Sequence, residues 1–347
     1  MEHYIGLDIG GTKCVVSLGL WQFGEIKILE RHEIPTTESP IDTFDRLAPF
    51  VEQWTNKFVI KSAGISCGGP LDPEKGVIIS TTNLSPQWHG FGIVSYVKSR
   101  FGIKAKLQND ANACAVAEWK FGAGKGTKNL VFMTFGTGLG AGLILDGKLY
   151  SGTNGNAGEI GHVRLEKEGP IGYNKIGSVE GFCSGNGIKR LAQLRAKEHG
   201  VSIESDITTK VIFDRAMQGD KLYLSVIKEC AEKLARVVSI IIDLFNPEVI
   251  IAGGVFMNET MIYALTYIGA NRIGDLSFHI NKGWFLPQSL PSFFTKSIGR
   301  KVMMSTGIYG TIGSIIGNVY NSATNELFRN MANRFVDISL KDCYLVG

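Results

Sequence analysis

Near the start of the chain, an acidic residue is followed by a glycine-rich turn. Asp8 precedes the run Gly10-Gly11-Thr12-Lys13. Because glycine has no Cβ, such a turn can approach a phosphate closely and direct several N–H groups at its oxygens, and the lysine adds a cation. The carboxylate of Asp8 could hold a hydrated magnesium ion beside the phosphates, although an aspartate close to a hairpin turn is also a common structural feature. The pattern therefore predicts a polyphosphate site.

A second glycine-rich segment repeats this pattern later in the chain. The residues around Gly136, like those around Gly10, run from an apolar stretch through a bend with glycine and threonine into another apolar stretch, which predicts two β-hairpins. Alignment places Thr134 on Asp8 at an offset of 126 residues and suggests two related halves. Chance similarity of glycine-rich hairpins is the simpler alternative. Two such turns facing each other could hold a triphosphate.

The second segment does not match the other common nucleotide-binding loops. The window from Gly142 to Leu149 matches the P-loop pattern at every position except the last. There Leu149 stands where a serine or threonine should bind magnesium. That window also lies in the second strand of the expected hairpin, where no helix N-terminus can receive phosphate. The glycines from 136 to 142 fail the spacing G-x-G-x-x-G, and a strand follows them. A Rossmann dinucleotide site is therefore disfavoured.

A short polar segment precedes a helical run near the middle of the first half. It reads Asn109-Asp110-Ala111-Asn112. Asp110 fits the N-cap of the following helix, and a carboxylate at a strand-to-helix junction is also well placed to accept a proton from a hydroxyl group. The two roles are compatible, so Asp110 is a candidate general base whether or not it caps the helix.

Alternating helices and strands are expected to position these residues, as in an α/β protein. The predicted helices are 40–57, 92–101, 187–199, 220–245 and 306–320, and the predicted strands outside the hairpins are 63–66, 77–80 and 249–254. The longest helix has apolar residues at three- and four-residue spacing from Leu222 to Ile241, so it should be buried, and Pro247 should end it.

Composition excludes several classes of protein. The 347 residues are 44% hydrophobic, which suits one large or two medium domains and excludes a disordered or fibrous chain. The net charge is +4, and no run of lysine or arginine marks a nucleic-acid arm. The stretch 276–325 lacks acids and is rich in aromatics, but too few cations separate them for a nucleic-acid platform. A nucleic-acid partner is therefore not expected.

The six cysteines are far apart and show no C-x-x-C spacing. Most lie within apolar stretches, which is typical of reduced core thiols in a cytoplasmic protein. The N-terminus has no basic start followed by an apolar signal region, and the longest apolar stretch, 237–245, contains Ser239 and Asp243. The sequence therefore predicts cytoplasmic localisation and no membrane partner.

Four motifs in order resemble one family. They are Leu7 to Lys13 (LDIGGTK), Gln108 to Ala113 (QNDANA), Phe135 to Gly142 (FGTGLGAG) and Ala157 to His162 (AGEIGH). Together they resemble the ROK sugar kinases of the sugar kinase, Hsp70 and actin superfamily, over residues 4 to about 182 and more weakly at 250–254 and 307–313. The resemblance implies an α/β fold of two ribonuclease-H-like, actin/hexokinase-type domains that flank a cleft.

The resemblance also implies a reaction. This is ATP-dependent transfer of the γ-phosphoryl group to a hydroxyl, usually the primary 6-OH, of a hexose or N-acetylhexosamine, with Mg²⁺ as cofactor and Asp110 as catalytic base. The positions matching sugar-binding residues are Gly69, Asn83, Asn109, Asp110, Glu159, His162 and Glu180. The positions matching the ATP site are Asp8, which would hold Mg²⁺ through water, Gly10, Gly11, Thr12, Lys13, Thr137, Gly138, Gly253 and Gly254.

One family feature is missing. Family members commonly hold a structural zinc with a histidine and three cysteines between the equivalents of His162 and Glu180. Residues 163–179 contain no cysteine, and Cys183 lies beyond the glutamate. No zinc site is therefore expected, because the soft thiolate ligands are absent. His162 is left as a sugar-binding or a plain structural histidine.

Alternatives to a working kinase follow from the same family. ROK relatives include transcription repressors, so a non-catalytic sugar sensor or regulator is the second hypothesis. Those repressors carry a helix-turn-helix region before the glycine hairpin, whereas seven residues precede Asp8 here, so no DNA-binding domain is expected. A degenerate kinase that binds sugar without transfer is the third, and the presence of Asp8, Lys13 and Asp110 together disfavours it.

The resemblance also suggests domain boundaries and an assembly. The predicted N-terminal domain is 1–112, with a C-terminal helix at about 305–325 packing back on it, and the predicted C-terminal domain is 113–304. Residues 326–347 form a tail to which no role is assigned. A homodimer is expected from the family.

Overall fold

A computed structural model describes residues 1–81, 83–254 and the backbone of 301–304. Its first five-stranded sheet has the order β3-β2-β1-β4-β7. These strands are β1 (Glu2–Ile9), β2 (Lys13–Gln22), β3 (Glu25–Pro35), β4 (Ile60–Cys67) and β7 (Ala105–Asn109). The first three strands form an antiparallel meander, and β1, β4 and β7 run parallel to one another. The carboxyl ends of these three parallel strands therefore meet at one edge.

Three helices accompany the first sheet. They are α1 (Pro40–Lys57), α2 (Ile93–Phe101) and α3 (Asp110–Lys120). Helix α1 begins at the predicted residue because Ser39 Oγ accepts a hydrogen bond from the Asp42 N–H and Pro40 occupies the first turn. Its apolar face, including Phe44, Leu47 and Trp54, is buried in the core of this sheet. The short strands β5 (Leu71–Asp72) and β6 (Val77–Ile78) form a separate two-stranded ladder.

A second five-stranded sheet has the order β10-β9-β8-β13-β14. Its strands are β8 (Leu130–Phe135), β9 (Leu139–Leu145), β10 (Lys148–Tyr150), β13 (Val249–Gly253) and β14 (Lys301–Met304). Every residue of β13 is buried, as its continuous apolar run predicts for a central strand. Both predicted glycine hairpins are therefore present, as β1–β2 and β8–β9.

Four helices and a small hairpin follow the second glycine turn. They are α4 (Val179–Cys183), α5 (Gly185–Glu198), α6 (Thr209–Met217), α7 (Lys221–Phe245) and the hairpin β11 (Ile171–Gly172) with β12 (Lys175–Ile176). The long helix α7 begins after the N-cap Asp220 and ends at Asn246, which adopts the left-handed conformation just before Pro247. Its buried face packs against the other three helices.

The chain divides into two compact units. The first contains Met1–Phe132 and Gly142–Gly158, and the described part of the second contains 133–141, 159–254 and 301–304. The predicted domain boundary after residue 112, and the cleft between the domains, stay predictions. The predicted helix at about 305–325 and the tail 326–347 lie outside the described residues.

Two further sequence expectations concern the described residues. Four of their five cysteines are buried, and none of the five forms a disulfide. Among the described helices, none has the length and apolar character that crossing a bilayer requires.

Candidate functional site

Two acidic residues converge at the carboxyl edge of the first sheet. Asp8 stands one residue before the end of β1 and pairs in register with Ser66 of β4. Asp110 follows β7, whose last residue, Asn109, pairs with Cys67 of β4. The parallel register thus brings together two carboxylates that are a hundred residues apart in the chain.

The electrostatics of this pair are unusual. Burial, and then the charge of Asp110, raise the pKa of Asp8 to about 7. Desolvation also raises the pKa of Asp110, against the hydrogen bond from the Ala111 N–H. Asp110 keeps substantial solvent exposure although protein atoms surround its carboxylate densely. An acid that is crowded yet reachable suits contact with a ligand.

Two buried polar oxygens without a hydrogen-bond partner belong to this neighbourhood. In the described part of the chain they are Ser66 Oγ and Asn112 Oδ1. The Ser66 hydroxyl lies close enough to Asp8 to lower the pKa of that carboxyl group. The geometry of this contact is nevertheless too poor for a hydrogen bond, so Ser66 Oγ has no partner among the described residues. Buried oxygens of this kind normally have partners. The two neighbouring carboxylates of Asp8 and Asp110, together with the unpaired Ser66 Oγ, are suited to a cation that is held through water.

The structure corrects one detail of helix α3. Its N-cap is Asn109, whose Oδ1 accepts a hydrogen bond from the Asn112 N–H at 3.2 Å. The N-cap interpretation of Asp110 is wrong, because the chain is still extended at Asn109 and Asp110 is the first helical residue. Asp110 Oδ1 instead accepts from the Ala111 N–H at 2.8 Å. Its charge therefore faces the positive end of the helix dipole.

The first glycine turn is tightly held. The Gly10 N–H donates to Lys13 O at 3.1 Å, and Thr36 Oγ1 donates to Gly10 O at 2.6 Å. A Cβ on Gly11 would lie 2.1 Å from the backbone oxygen of Asn83, so a side chain does not fit there. Thr12 is exposed, and its carbonyl accepts from the Thr36 N–H. Thr36, which follows β3, therefore supports this turn, and no sequence signal pointed to it.

Lys13 opens β2 and is half exposed. Its Nζ lies 3.0 Å from Glu33 Oε2, to which Arg31 also donates at 3.0 Å. A phosphate at this turn would compete with Glu33 for the ammonium group.

The other predicted residues of the first unit lie close to this edge. Gly69 precedes a cis bond to Pro70, and a Cβ built on it would be 3.7 Å from Asn109 Nδ2, an ordinary contact. Asn83 is exposed and contacts Gly11 through its backbone and Cβ. Gly69 and Asn83 therefore each contact a residue of the acid and turn region.

The second glycine turn packs on the start of α5. The Gly136 N–H donates to Gly138 O at 3.0 Å, and the Gly185 N–H donates to Gly136 O at 2.9 Å. The Asn186 N–H donates to Thr137 O at 3.4 Å. This turn offers its carbonyl oxygens to a helix N-terminus.

Glu180 lies directly against this turn. Its Oε2 accepts from the Leu139 N–H at 3.1 Å, and a Cβ on Gly138 would come within 2.7 Å of the same oxygen. The predicted sugar-binding glutamate and the predicted phosphate turn are thus neighbours within the second unit.

His162 ends a short 3₁₀ segment that follows Glu159. Its Nε2 lies 3.4 Å from Glu159 Oε2, and its ring stacks on Tyr173 with centroids 3.7 Å apart. Burial lowers the pKa of His162, with a smaller contribution from Lys175, while the charge of Glu180 opposes both. The imidazole is therefore neutral at neutral pH. Neither Tyr173 nor Lys175 carries a signal that sequence reasoning could have used.

Gly253 and Gly254 end β13 beside β8. Gly254 has φ +124, and a Cβ there would lie 1.8 Å from Phe135 O. Only glycine satisfies both conditions.

The predicted site residues fall into two groups, one in each compact unit. The first unit holds Asp8, Gly10, Gly11, Thr12, Lys13, Gly69, Asn83, Asn109 and Asp110, and the second holds Thr137, Gly138, Glu159, His162, Glu180, Gly253 and Gly254. The functional role of each residue stays a prediction, as does a common site formed by the two groups.

Comparison with known proteins identifies relatives over most of the chain. The model of the ROK family matches residues 4–270. A glucokinase of Thermotoga maritima is 30% identical over 321 residues, which cover 90% of this chain and 96% of the relative. An N-acetylmannosamine kinase of Escherichia coli is 32% identical over 256 residues, covering 72% and 82%.

A solved structure gives the same result for the fold. The ROK family glucokinase of Streptomyces griseus, in complex with glucose and AMPPNP, superposes with a TM-score of 0.64 at 26% identity, covering 90% of this chain and 95% of that one. The predicted α/β fold of the actin/hexokinase type is confirmed. The family predicted from the four motifs is confirmed as well, and the chain belongs to the ROK family.

Proposed function

We propose that this protein transfers the γ-phosphoryl group of ATP to the 6-OH of a hexose or N-acetylhexosamine, with Asp110 as the general base. The chain is an ATP-dependent sugar kinase, and the proposal adds the hydroxyl, the base and the sugar class. The observation that carries it is the acid pair, in which Asp110 is reachable by solvent while its pKa is raised. The glucose and N-acetylmannosamine kinases among the relatives support the sugar class.

Asp110 suits proton acceptance from an alcohol. Desolvation raises the pKa of its carboxylate and makes it a stronger base than an exposed aspartate, while the hydrogen bond from the Ala111 N–H and its position at the start of α3 oppose that shift. Holding the hydroxyl beside this oxygen, in line with the γ-phosphate, would supply much of the acceleration.

Asp8 would hold Mg²⁺ through water. The metal, when bound, offsets the charge of the phosphates. The raised pKa of Asp8 and the unsatisfied Ser66 Oγ fit such an ion, because a divalent cation would stabilise the ionised form of Asp8.

The glycine turns would bind the phosphates. Gly10, Gly11 and Thr12 would present N–H groups, and Lys13 would exchange Glu33 for a phosphate oxygen. On the second unit, Thr137 and Gly138 would do the same. Gly253 and Gly254 would lie against the adenosine.

The remaining polar residues would select the sugar. In the proposal these are Gly69, Asn83 and Asn109 from the first unit and Glu159, His162 and Glu180 from the second. Carboxylates, amides and an imidazole are directional partners for hydroxyl groups, and a wrong epimer would leave one of them unpaired.

The proposal is tested by measuring ADP release with hexoses and N-acetylhexosamines, for the wild type and Asp110→Asn. We expect the substitution to lower kcat by about 10²-fold or more, with the sugar KM changed by less than about threefold. Asp42→Asn is the matched control, since it makes the same change in the first turn of helix α1.

Two outcomes contradict the proposal. Turnover near the wild-type rate in Asp110→Asn removes this residue as base. Sugars that raise the melting temperature of the wild type but release no ADP favour the non-catalytic sensor.

A further inference from the structure

The segment after His162 forms a β-hairpin where the family resemblance implies a zinc site. Strands β11 and β12 pair Gly172 with Lys175. The groups around His162 are the Glu159 carboxylate, the Tyr173 ring and the Lys175 ammonium, which donates to His162 O at 2.7 Å. An adjacent ammonium group and the lack of any thiolate between residues 163 and 179 do not fit zinc. The orientation of the His162 imidazole therefore depends on its other neighbours.

The Tyr173 ring lies flat on the imidazole of His162. The two ring centroids are 3.7 Å apart and the planes differ by 16°. Stacking at this distance fixes the plane of the imidazole, and Glu159 Oε2, 3.4 Å from Nε2, adds a polar contact at one ring nitrogen. Together the two neighbours restrict both the tilt of the ring and the direction of its nitrogen atoms.

The backbone at Tyr173 is strained. Tyr173 and Asn174 are the two turn residues of the hairpin, with φ of +47 and +56. A two-residue turn with both φ values positive favours glycine and asparagine, and an aromatic residue there is an outlier. Strained residues of this type cluster at functional sites.

Side-chain hydrogen bonds and ion pairs hold the hairpin that carries Tyr173 and the segment before it. Ser178 Oγ donates to Gly172 O at 3.0 Å, next to the start of α4. Glu166 Oε1 receives Lys233 Nζ at 2.6 Å and Arg236 at 2.7 Å, both from α7. Lys233 is only 8% exposed, whereas the Glu166 side chain is 36% exposed, so the lysine is shielded from solvent and the carboxylate is only partly so. These contacts restrain the hairpin on which Tyr173 lies.

We propose that Tyr173 is a positioning residue that orients His162 toward a sugar hydroxyl, in place of a thiolate-bound zinc. The inference rests on the proposed function, in which His162 contacts the sugar. Tyr173 acts through the imidazole and touches no reacting atom.

The test compares sugar binding in Tyr173→Gly, Tyr173→Phe and Asn174→Gly by titration calorimetry with glucose and N-acetylmannosamine. Glycine relieves the backbone strain and deletes the ring, so we expect an unchanged or higher melting temperature together with a roughly three- to tenfold higher Kd for the sugar. Phenylalanine keeps the ring and should retain the wild-type Kd. Asn174→Gly relieves the same turn but keeps the stack, so its Kd should also be that of the wild type.

A second readout needs no sugar. The ring-proton resonances of His162, identified among six histidines by their absence in His162→Asn, should show a ring-current shift that Tyr173→Gly abolishes and Tyr173→Phe keeps. A zinc-selective chelator, added with excess Mg²⁺, should change neither the resonances nor the Kd.

The outcomes separate this inference from the proposed function. It is overturned if Tyr173→Gly binds sugar as the wild type does, if Tyr173→Phe fails as glycine does, or if the chelator weakens binding. A wild-type protein that binds sugar without releasing ADP removes the transfer reaction alone, and the Kd comparison still decides the role of Tyr173. A wild type that binds no sugar removes both proposals.

Discussion

The two glycine turns have similar sequences but differ in what surrounds them. The first, at Gly11, is preceded by a half-buried acid and followed by a lysine, and it packs against the backbone of another loop. The second, at Gly138, has Thr134 at the position of the acid, gives its carbonyl oxygens to α5 and packs against the carboxylate of Glu180. The hairpin of the first unit thus carries charged side chains at its turn. The similar hairpin of the second unit contacts the start of α5 and the side chain of Glu180.

The largest effect should come from the charge that distinguishes the turns. We expect Asp8→Asn to lower kcat on the order of 10²-fold, because the proposed magnesium site would lose its carboxylate. Thr134→Val, at the aligned position, should change kcat by less than about twofold. Steady-state ADP release measures both. Equal effects of the two substitutions would mean that the turns share one role.

The same acid should make stability depend on pH. The pKa of Asp8 is raised to about 7 from 3.8, so burial favours its protonated form. The resulting stabilisation is complete below about pH 4 and is lost as pH rises through 7. Without Mg²⁺, the melting temperature of Asp8→Asn should therefore exceed that of the wild type increasingly between about pH 4 and 7, and Mg²⁺ should narrow the gap. A difference that stays constant over this range contradicts the assignment.

The next largest effect should come from the different neighbours of Gly11 and Gly138. Gly11→Ala would place a methyl group on a fixed carbonyl oxygen and should lower the free energy of unfolding by about 1–3 kcal/mol. Gly138→Ala meets only the end of the Glu180 side chain, which can move, so it should cost less than about 1 kcal/mol and act on the sugar KM instead. Urea unfolding and steady-state kinetics measure the two effects, and a reversed order of the unfolding energies would reject this distinction.

The smallest effect concerns the cation of the first turn. Glu33→Gln releases Lys13 from an exposed ion pair, and the KM for ATP should fall by up to about threefold with little change in melting temperature. Glu25→Gln, on the same strand, is the control and should leave the KM unchanged. If Glu33→Gln also leaves it unchanged, Lys13 does not exchange partners on binding ATP.

Local signals in the sequence predicted much of the fold. Helix α1 was predicted at its observed bounds, Pro40–Lys57. The apolar periodicity predicted α7 over 220–245, one residue longer at its start than the observed Lys221–Phe245, because Asp220 is the N-cap. The four motifs were sufficient for the family, and β4 was found although shorter than observed.

Features that depend on distant contacts were not predictable. The neighbourhood of Asp8 and Ser66 follows from the register of parallel strands. The cap of α3 was assigned to Asp110 and not to Asn109, because both residue types are good caps and only the backbone at the strand end decides. The hairpin at Tyr173 contradicts local preference, since a tyrosine does not signal a left-handed turn.

The junction at Gly254 limits how this enzyme can be redesigned. Its backbone conformation and its contact with the Phe135 carbonyl exclude every side chain, including alanine. Variants that test the proposed adenosine contact at this end of β13 must therefore keep glycine at residue 254 and vary the surrounding positions.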